Sequence, residues 1–296
     1  MQSPHPPAWI DDFLSQEGLP HTYALMIQTV VEPLATRIQS AKGKGLFVMG
    51  ICGAQGSGKS TLTAALAKVL EIRGVRVVTL SLDDLYLSRA ERQALAGKVH
   101  PLLATRGVPG THNVQAGLHL LQTLGQEGRV RLPRFDKAMD DPLPRSALPE
   151  VASPVDVVLF EGWCVGARPQ SPADLVAPIN QLESVHDPDG TWRGFVNAQL
   201  QGPYADLFAK LDAFVFLRAP SFDVVPDWRL EQEDKLRARL LKAGASIQGL
   251  MDEAAVRRFV AHYERVTRAL QAEAPQRADV LIRLQADRSI EDIVFN

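Results

Sequence analysis

The stretch Gly53-Ala54-Gln55-Gly56-Ser57-Gly58-Lys59-Ser60 decides the fold predicted for this chain. It follows an apolar run, Leu46 to Ile51, that predicts a buried strand, and it precedes residues 61–69, which have the spacing of a helix packed on a sheet. Glycines let the loop turn tightly and bring backbone N–H groups to phosphate oxygens, and the helix N-terminus adds favourable partial charge. In this pattern Lys59 reaches the β- and γ-phosphates, and the Ser60 hydroxyl can ligate Mg²⁺. The sequence therefore predicts a nucleotide-binding loop between a strand and a helix.

Four further apolar runs predict the rest of a sheet: residues 75–81, 155–160, 211–217 and 279–284. The first of them follows the phosphate-loop helix closely, as in a strand–helix–strand unit with a right-handed crossover. The predicted fold class is α/β, a P-loop NTPase-type three-layer sandwich whose mainly parallel central sheet of about five strands is flanked by helices. Ligands of such sheets bind at the carboxyl ends of the strands.

The length of 296 residues predicts one domain with insertions. Within residues 1–296 we expect a disordered tail over 1–8, whose prolines oppose regular helix, and N-terminal helices over 9–44. Residues 165–205, with little regular periodicity, are interpreted as an insertion. Residues 227–243 are interpreted as a mobile lid because they follow the fourth strand and carry several arginines.

Composition argues against several classes of partner. The formal net charge is −2 and no long basic run occurs, so the sequence predicts no nucleic-acid partner. No apolar stretch approaches membrane-spanning length, and Met1 to Trp9 lacks the apolar core of a signal peptide. Cys52 and Cys164 are too few for a disulfide framework and are not in metal-ligand spacing. We therefore expect a cytoplasmic protein without a membrane partner, and the sequence leaves its oligomeric state open.

Acidic residues follow two of the predicted strands. Asp83 and Asp84 come after residues 75–81, and Glu161 comes directly after residues 155–160. The aspartates could cap a helix that begins near Ser88. Beside a phosphate loop, however, carboxylates at these positions can accept a hydroxyl proton or support Mg²⁺.

Two loops carry candidate substrate-binding residues. Residues 106–112 (RGVPGTH) contribute Arg106 and His112, which could instead be surface residues. Residues 129–145 contribute Arg134 and Lys137, and their mixed charges could simply keep a loop soluble. Prolines and a phenylalanine around Arg134 favour a fixed arginine that clamps a carboxylate through two hydrogen bonds.

The predicted lid contains Arg229 and Arg237 on a helix that starts near Asp227. Many charges of this helix are four residues apart, which is also typical of a solvated helix. We name these two arginines as candidates to face the transferring phosphate.

Several motifs together resemble a known family. The phosphate loop, the Asp-x-x-Tyr element from Asp83 to Tyr86, and Glu161-Gly162 resemble the kinases related to phosphoribulokinase, uridine kinase and pantothenate kinase. Within that group the chain looks like D-glycerate 3-kinase of the plant, fungal and bacterial type. The stretches that carry this resemblance are SLDDLYL (81–87), RGVPGTH (106–112), LPRFDKAMDD (132–141), FEGWCVG (160–166), PINQLE (178–183), DGTWRGFVN (189–197) and WRLEQEDKLR (228–237).

The resemblance implies a site for ATP and Mg²⁺ and a small-molecule substrate, D-glycerate. The ATP site would run from Gly53 to Thr61, with the catalytic residues Lys59, Asp83, Glu161 and Arg229. Asp83 would be the base, with Asp84 as the rival. Mg²⁺ would be held by Ser60, Asp83 and Glu161. The acceptor site would comprise Asp84, Tyr86, Arg106, His112, Arg134 and Lys137.

The reaction so implied is transfer of the γ-phosphate of ATP to the 3-hydroxyl of D-glycerate, giving 3-phosphoglycerate and ADP. Phosphoryl transfer needs mostly positioning and charge stabilisation from the protein. Two alternatives stay open at this point: a P-loop kinase of another small hydroxylated metabolite, such as a nucleoside or pantothenate, and a non-catalytic ATP-binding switch protein.

Overall fold

A six-stranded sheet organises the computed structural model, which describes residues 7–242, 244 and 250–296. The strands are β1 (Phe47–Gly53), β2 (Val77–Ser81), β3 (Gly128–Arg131), β4 (Phe135–Asp136), β5 (Asp141–Pro142), β6 (Glu150–Ser153), β7 (Val157–Gly162), β8 (Ala213–Arg218), β9 (Val280–Leu284) and β10 (Ile290–Phe295). The order in the main sheet is β10-β9-β8-β1-β7-β2, while β3 pairs with β6 and β4 pairs with β5 in two small ribbons.

Helices cover both faces of this sheet. They are α1 (Ala8–Glu17), α2 (Tyr23–Met26), α3 (Glu32–Ala41), α4 (Lys59–Ile72), α5 (Arg89–Lys98), α6 (Val114–Leu124), α7 (Gln181–His186), α8 (Thr191–Gln201), α9 (Pro203–Phe208), α10 (Val225–Lys242), α11 (Glu253–Ala261) and α12 (Glu264–Glu273). A π-helical stretch, Ile27–Val31, joins α2 to α3. No helix within the described ranges is both long enough and apolar enough to cross a membrane.

The sheet is parallel except for β10, which pairs with β9 in the antiparallel sense. Strand β1 lies between β7 and β8, so the phosphate loop emerges near the middle of the sheet. Glu161 on β7 is in register with Ile51 on one side and Ser81 on the other. The parallel register therefore brings the ends of β1, β7 and β2 together at one edge.

Alternating strand residues divide the core into two layers. Met49 and Ile51 pack with the apolar faces of α3 and α4, whereas Val48 and Cys52 pack with those of α6, α8 and α12. A strand buried on both faces is expected to be apolar throughout, as β1 is. The predicted three-layer α/β sandwich with a mainly parallel sheet is confirmed.

Some local predictions need correction. Strand β10 was not predicted, and it adds an antiparallel edge because the chain turns back directly after β9. The apolar spacing of residues 252–273 predicts one helix, but the structure has two, α11 and α12, and the break between them places Tyr263 against the loop at Gly107.

The predicted segments map onto the structure as follows. Most of the tail expected over 1–8 lies outside the described residues, but Ala8 already begins α1. The insertion expected over 165–205 contains α7, α8 and the start of α9. The predicted lid, 227–243, coincides with most of α10, and residue 243 lies outside the described residues.

Candidate active site

The phosphate loop joins the end of β1 to the start of α4, and two of its glycines have backbone angles that favour glycine. Gly56 has φ +79° and Gly58 has φ +86°. A Cβ at Gly56 would lie 2.6 Å from the Cβ of Trp228 in the first turns of α10. Since a real Cβ cannot approach so closely, the loop and α10 can pack together only when residue 56 is glycine.

Three polar side chains meet where the phosphate loop enters α4. The Lys59 amine is 3.8 Å from one Glu161 oxygen, and the Ser60 hydroxyl donates to the other at 3.3 Å. Glu161 is buried, and its Oε2 atom has no hydrogen-bond partner among the residues that the structure describes. A hydroxyl and a carboxylate with a free oxygen suit Mg²⁺, which takes its other ligands from phosphates and water. The described part of the chain contains no group of three or more His, Cys, Asp or Glu side chains that could hold a metal ion.

Asp83 lies in a 3₁₀ turn, Leu82–Leu85, directly after β2. The Tyr86 hydroxyl donates to Asp83 Oδ1 at 2.9 Å, and the Lys137 amine donates to Oδ2 at 2.7 Å. Burial favours the protonated acid, but Lys137, Lys59 and the Tyr86 hydroxyl together hold the pKa of Asp83 at about 2. Asp83 is therefore ionised at neutral pH, and the charge of Lys59 is close enough to act on it.

Asp84 has different partners from its neighbour. It accepts hydrogen bonds from Arg134 Nη1 at 3.1 Å and from the backbone N–H of Phe135 at 3.2 Å. Burial raises the pKa of Asp84, and both donors oppose that shift. Arg134, predicted to clamp a substrate carboxylate, here anchors its own loop to the end of β2.

Asp140 binds two arginines at once. Arg106 and the fully buried Arg92 each donate to one of its carboxylate oxygens. The same two guanidinium groups lie 5.6 and 5.8 Å from the Phe135 ring centroid. Asp140 has φ +58°, a conformation that aspartate tolerates better than most residues. Sequence reasoning missed both Arg92 and Asp140, because nothing in their local pattern distinguishes them from surface charges.

His112 is buried beside Tyr86. The two rings stack with centroids 4.4 Å apart, and Nδ1 of His112 is 2.5 Å from the Tyr204 hydroxyl. Burial lowers the pKa of His112 to about 3, although the negative charge of Asp83 acts in the opposite direction. The histidine is thus a neutral side chain at physiological pH.

Two aromatic residues that the sequence did not single out hold the loop of residues 106–112. The Trp163 indole donates to the backbone oxygen of Gly107 at 3.0 Å, and the Tyr263 hydroxyl donates to that of Arg106 at 3.3 Å. Gly107 has φ +140°, and a Cβ there would lie 2.1 Å from the Tyr263 hydroxyl. Trp163 follows the Glu161-Gly162 motif and could have been noticed, but Tyr263 is 156 positions from Gly107 and gave no sequence signal.

The two predicted lid arginines have local partners. Arg229 pairs with the buried Glu233 and lies 5.9 Å from the Phe259 ring centroid, whereas Arg237 pairs with Asp234 at 3.7 Å. Within the described residues, neither makes a hydrogen bond or ion pair to Lys59 or Asp83. Burial raises the pKa of Tyr263, the negative charge of Asp83 adds to this shift, and the positive charges of Arg106 and Arg229 oppose it.

The structure thus brings most of the predicted residues to one edge of the sheet. Lys59, Ser60 and Glu161 form one group at the phosphate loop. A second group joins the turn after β2 to the loops of residues 106–112 and 133–141, and comprises Asp83, Asp84, Tyr86, Arg106, His112, Arg134 and Lys137. Among the described residues, Arg229 and Arg237 make no hydrogen bond or ion pair with a member of either group.

No family model matches the chain, but comparison with known proteins finds similar chains, among them the following three. The chain is 35% identical to the uncharacterized kinase mug58 of Schizosaccharomyces pombe over 235 residues, which are 73% of this chain and 78% of that protein. It is 33% identical to the chloroplastic D-glycerate 3-kinase of Arabidopsis thaliana over 245 residues, 79% of this chain and 50% of that protein. The solved structure of D-glycerate 3-kinase from Cryptococcus neoformans var. grubii superposes with a TM-score of 0.72 at 25% identity, covering 90% of this chain and 99% of that one.

Proposed function

We infer that the chain, which belongs to the P-loop kinase family that includes D-glycerate 3-kinase, transfers the γ-phosphoryl group of ATP to the 3-hydroxyl of D-glycerate. The products are 3-phosphoglycerate and ADP. The observation that carries this proposal is the position of Asp83. It follows Ser81, whose register partner Glu161 lies 3.8 Å from the Lys59 amine, and it binds Lys137, a basic side chain suited to an acidic acceptor.

The nucleotide phosphates bind to the backbone N–H groups of the loop from Gly53 to Thr61 and to Lys59. The Ser60 hydroxyl and Glu161 hold Mg²⁺, with Asp83 as a further candidate ligand. When bound, the cation neutralises charge on the phosphate oxygens. The Lys59 amine, 3.8 Å from Glu161, places a second positive charge at the same point.

Asp83 acts as the base that orients the acceptor hydroxyl and accepts its proton. The Tyr86 hydroxyl fixes one of its oxygens, and the amine of Lys137 occupies the other. Asp84 is the weaker candidate because its partners, Arg134 and the Phe135 N–H, anchor a loop, whereas the Lys137 amine on Asp83 is 61% exposed and can exchange. A base with a low pKa is adequate here, since the phosphoryl transition state is loose and little proton transfer is needed before it.

The carboxylate of glycerate binds to basic side chains of the acceptor site. Lys137 is the most exposed of them, with 61% of its side chain accessible, against 31% for Arg134 and 25% for Arg106. Each is paired with an aspartate, so the substrate carboxylate must share or replace that partner. We assign the first contact to Lys137, because exposed ion pairs are worth little and exchange readily.

The experiment that tests the proposed function is a coupled assay of ADP release with D-glycerate and glycerol side by side. We expect turnover with D-glycerate well above the acceptor-free background, and at least about 100-fold lower kcat/KM with glycerol, which lacks the carboxylate. NMR of the product should place the phosphate on the 3-hydroxyl. Equal rates with the two acceptors would rule out the carboxylate contact, and stimulation only by a nucleoside or pantothenate would reassign the substrate.

Helix α10 is proposed to act as a lid over the nucleotide. Two observations support this: Trp228 packs against Gly56 of the phosphate loop, and the Arg229 guanidinium lies 5.9 Å from the centroid of the Phe259 ring, which is 5.0 Å from that of Tyr263 next to the acceptor loop. Arg229 is the arginine that we assign to the transferring phosphate. Arg229→Ala should lower kcat with little change in the KM of glycerate.

A cytoplasmic location is also a proposal. Cys52 and Cys164 are both free and buried, which suits a reducing compartment. The name of the plant relative places that protein in the chloroplast, so the location needs a direct test by imaging of the tagged protein.

A further inference from the structure

The side chain of Tyr86 links His112 to the proposed base, Asp83. Its imidazole stacks on Tyr86 at 4.4 Å, and the Tyr86 hydroxyl donates to Asp83 at 2.9 Å. The backbones of Tyr86 and His112 also pair as an isolated antiparallel bridge. These contacts fix the imidazole relative to Asp83 through both backbone and side chain.

The hydrogen bonds of Tyr204 determine the tautomer of His112. The Tyr204 hydroxyl accepts the backbone N–H of Gly110 at 3.0 Å and lies 2.5 Å from Nδ1 of His112. Among the described residues, this nitrogen is the acceptor available to the phenol proton. The phenol therefore donates to Nδ1, and the imidazole proton resides on Nε2. Burial keeps the ring neutral, because it lowers the pKa of His112 to about 3.

The Nε2–H group itself has no partner within the described part of the chain, although His112 is only 5% exposed. A buried donor without a partner is costly, so each such group in a native protein calls for an explanation, and a hydrogen bond to a ligand is one that fits here. The basic side chains nearby already suit a carboxylate. A neutral donor is better matched to the neutral oxygen of a hydroxyl group.

We propose that Nε2–H of His112 donates a hydrogen bond to the 2-hydroxyl of the acceptor and thereby selects the D configuration of glycerate, a step that rests on the proposed function. The 3-hydroxyl at Asp83, the carboxylate at Lys137 and the 2-hydroxyl at His112 are three separate attachment points. Three points distinguish mirror images, since L-glycerate held by the first two directs its 2-hydroxyl away from His112. Tyr204 is a positioning residue, which acts by holding the tautomer.

Two substitutions test this proposal because each keeps a polar group at the position of only one imidazole nitrogen. His112→Asn retains a polar group at the position of Nδ1, next to Tyr204, but loses the donor at Nε2. His112→Gln places an amide donor at the position of Nε2. We expect H112N to raise the KM of D-glycerate about 10- to 100-fold, as for loss of a hydrogen bond that leaves a polar group unpaired. H112Q should stay within about threefold of the unaltered protein.

Two further measurements separate ligand binding from folding. The KM of ATP should stay close to that of the unaltered protein in both variants, and any fall in thermal midpoint should be similar in the two because both lose the stacked ring. The ratio of kcat/KM for D- over L-glycerate should fall in H112N alone. Equal losses in H112N and H112Q, or an unchanged ratio, would overturn the proposal. Tyr204→Phe removes the hydroxyl that holds the imidazole proton on Nε2, and it should partly lower the ratio of kcat/KM for D- over L-glycerate.

The unaltered protein provides a test that needs no variant. 3-Hydroxypropionate has the carboxylate and the reacting hydroxyl of glycerate but lacks the 2-hydroxyl. We expect its kcat/KM to be at least about tenfold below that of D-glycerate, and H112N to reduce this difference. Equal use of both acceptors would refute the 2-hydroxyl contact while leaving the kinase assignment intact. No turnover of either acceptor would instead refute the proposed function.

Discussion

The two halves of the candidate active site are built in different ways. The phosphate half is one continuous segment, Gly53 to Thr61, and Glu161 joins it from β7. The acceptor half is assembled from the turn after β2, the loops of residues 106–112 and 133–141, and Tyr263. In the first half the chain backbone supplies much of the site, whereas the second half is held together mainly by contacts between residues far apart in the sequence.

The charged groups of the two halves also differ in how they are paired. At the phosphate half the Lys59 amine lies 3.8 Å from Glu161 Oε2, an oxygen that accepts no hydrogen bond from the described residues. At the acceptor half Lys137, Arg134 and Arg106 are each paired with an aspartate. The phosphate half is thus ready for an anion and a cation, while the acceptor half must exchange partners when an acidic substrate binds.

The largest expected effect separates the two adjacent aspartates. Asp83→Asn should lower kcat by about 10²- to 10⁴-fold, because it removes the base while keeping the side-chain shape. The matched variant Asp84→Asn should mainly raise the KM of glycerate, since it weakens the anchor of Arg134 and Phe135. Steady-state kinetics with D-glycerate measures both. A full loss in D84N with normal turnover in D83N would exchange the two roles.

Lys137→Met tests whether Lys137 exchanges its partner Asp83 for the carboxylate of the substrate. We expect the KM of D-glycerate to rise about 10- to 100-fold, as for loss of a charge-assisted hydrogen bond, with the KM of ATP unchanged. Lys98→Met, at the exposed end of α5, is the matched control and should change neither constant. An equal rise in both KM values would mean that Lys137 serves the phosphate half as well.

Gly107→Ala probes the support of the acceptor half by Tyr263. The added Cβ would lie 2.1 Å from the Tyr263 hydroxyl and would strain a residue at φ +140°, so we expect about 2 kcal/mol of lost stability. Urea unfolding measures this, and the additional change Tyr263→Phe should restore part of the loss. Gly97→Ala is the control: its Cβ meets open space within α5, and the substitution should be neutral or stabilising. Similar losses at both glycines would show that the loop around Gly107 adjusts to the methyl group.

The smallest expected effect is on the pH dependence of stability. The pKa of His112 is lowered from 6.5 to about 3 in the folded protein, so the unfolded chain binds a proton that the folded one does not. This group therefore stabilises fully above pH 6.5 and progressively less as the pH falls towards 3. Between pH 6.5 and 5.5 the unfolding free energy should drop by about 1 kcal/mol more in the unaltered protein than in His112→Gln. Identical slopes in urea titrations would show that the imidazole is accessible to protons when folded.

Much of the fold could be predicted because its signals are local. The apolar runs that became β1, β2, β7, β8 and β9 are continuous, and the phosphate-loop motif lies between one of them and a helix. Strand β10 was missed because its burial is partial and its sequence mixes acidic with apolar residues. The break before Tyr263 was missed because the helical spacing continues through it.

The sequence by itself determined the nucleotide-binding half of this protein, since a phosphate loop uses the backbone of one short segment and few side chains. It also placed Asp83, Asp84 and Glu161 at strand ends, which parallel strands bring to a common edge. Only the tertiary structure decided which partners the acceptor residues have: Arg134 on Asp84, Lys137 on Asp83, and Tyr204 on His112. The physical reason is that a charge or a donor acquires its role from the group that it faces, and in this half those groups come from distant parts of the chain.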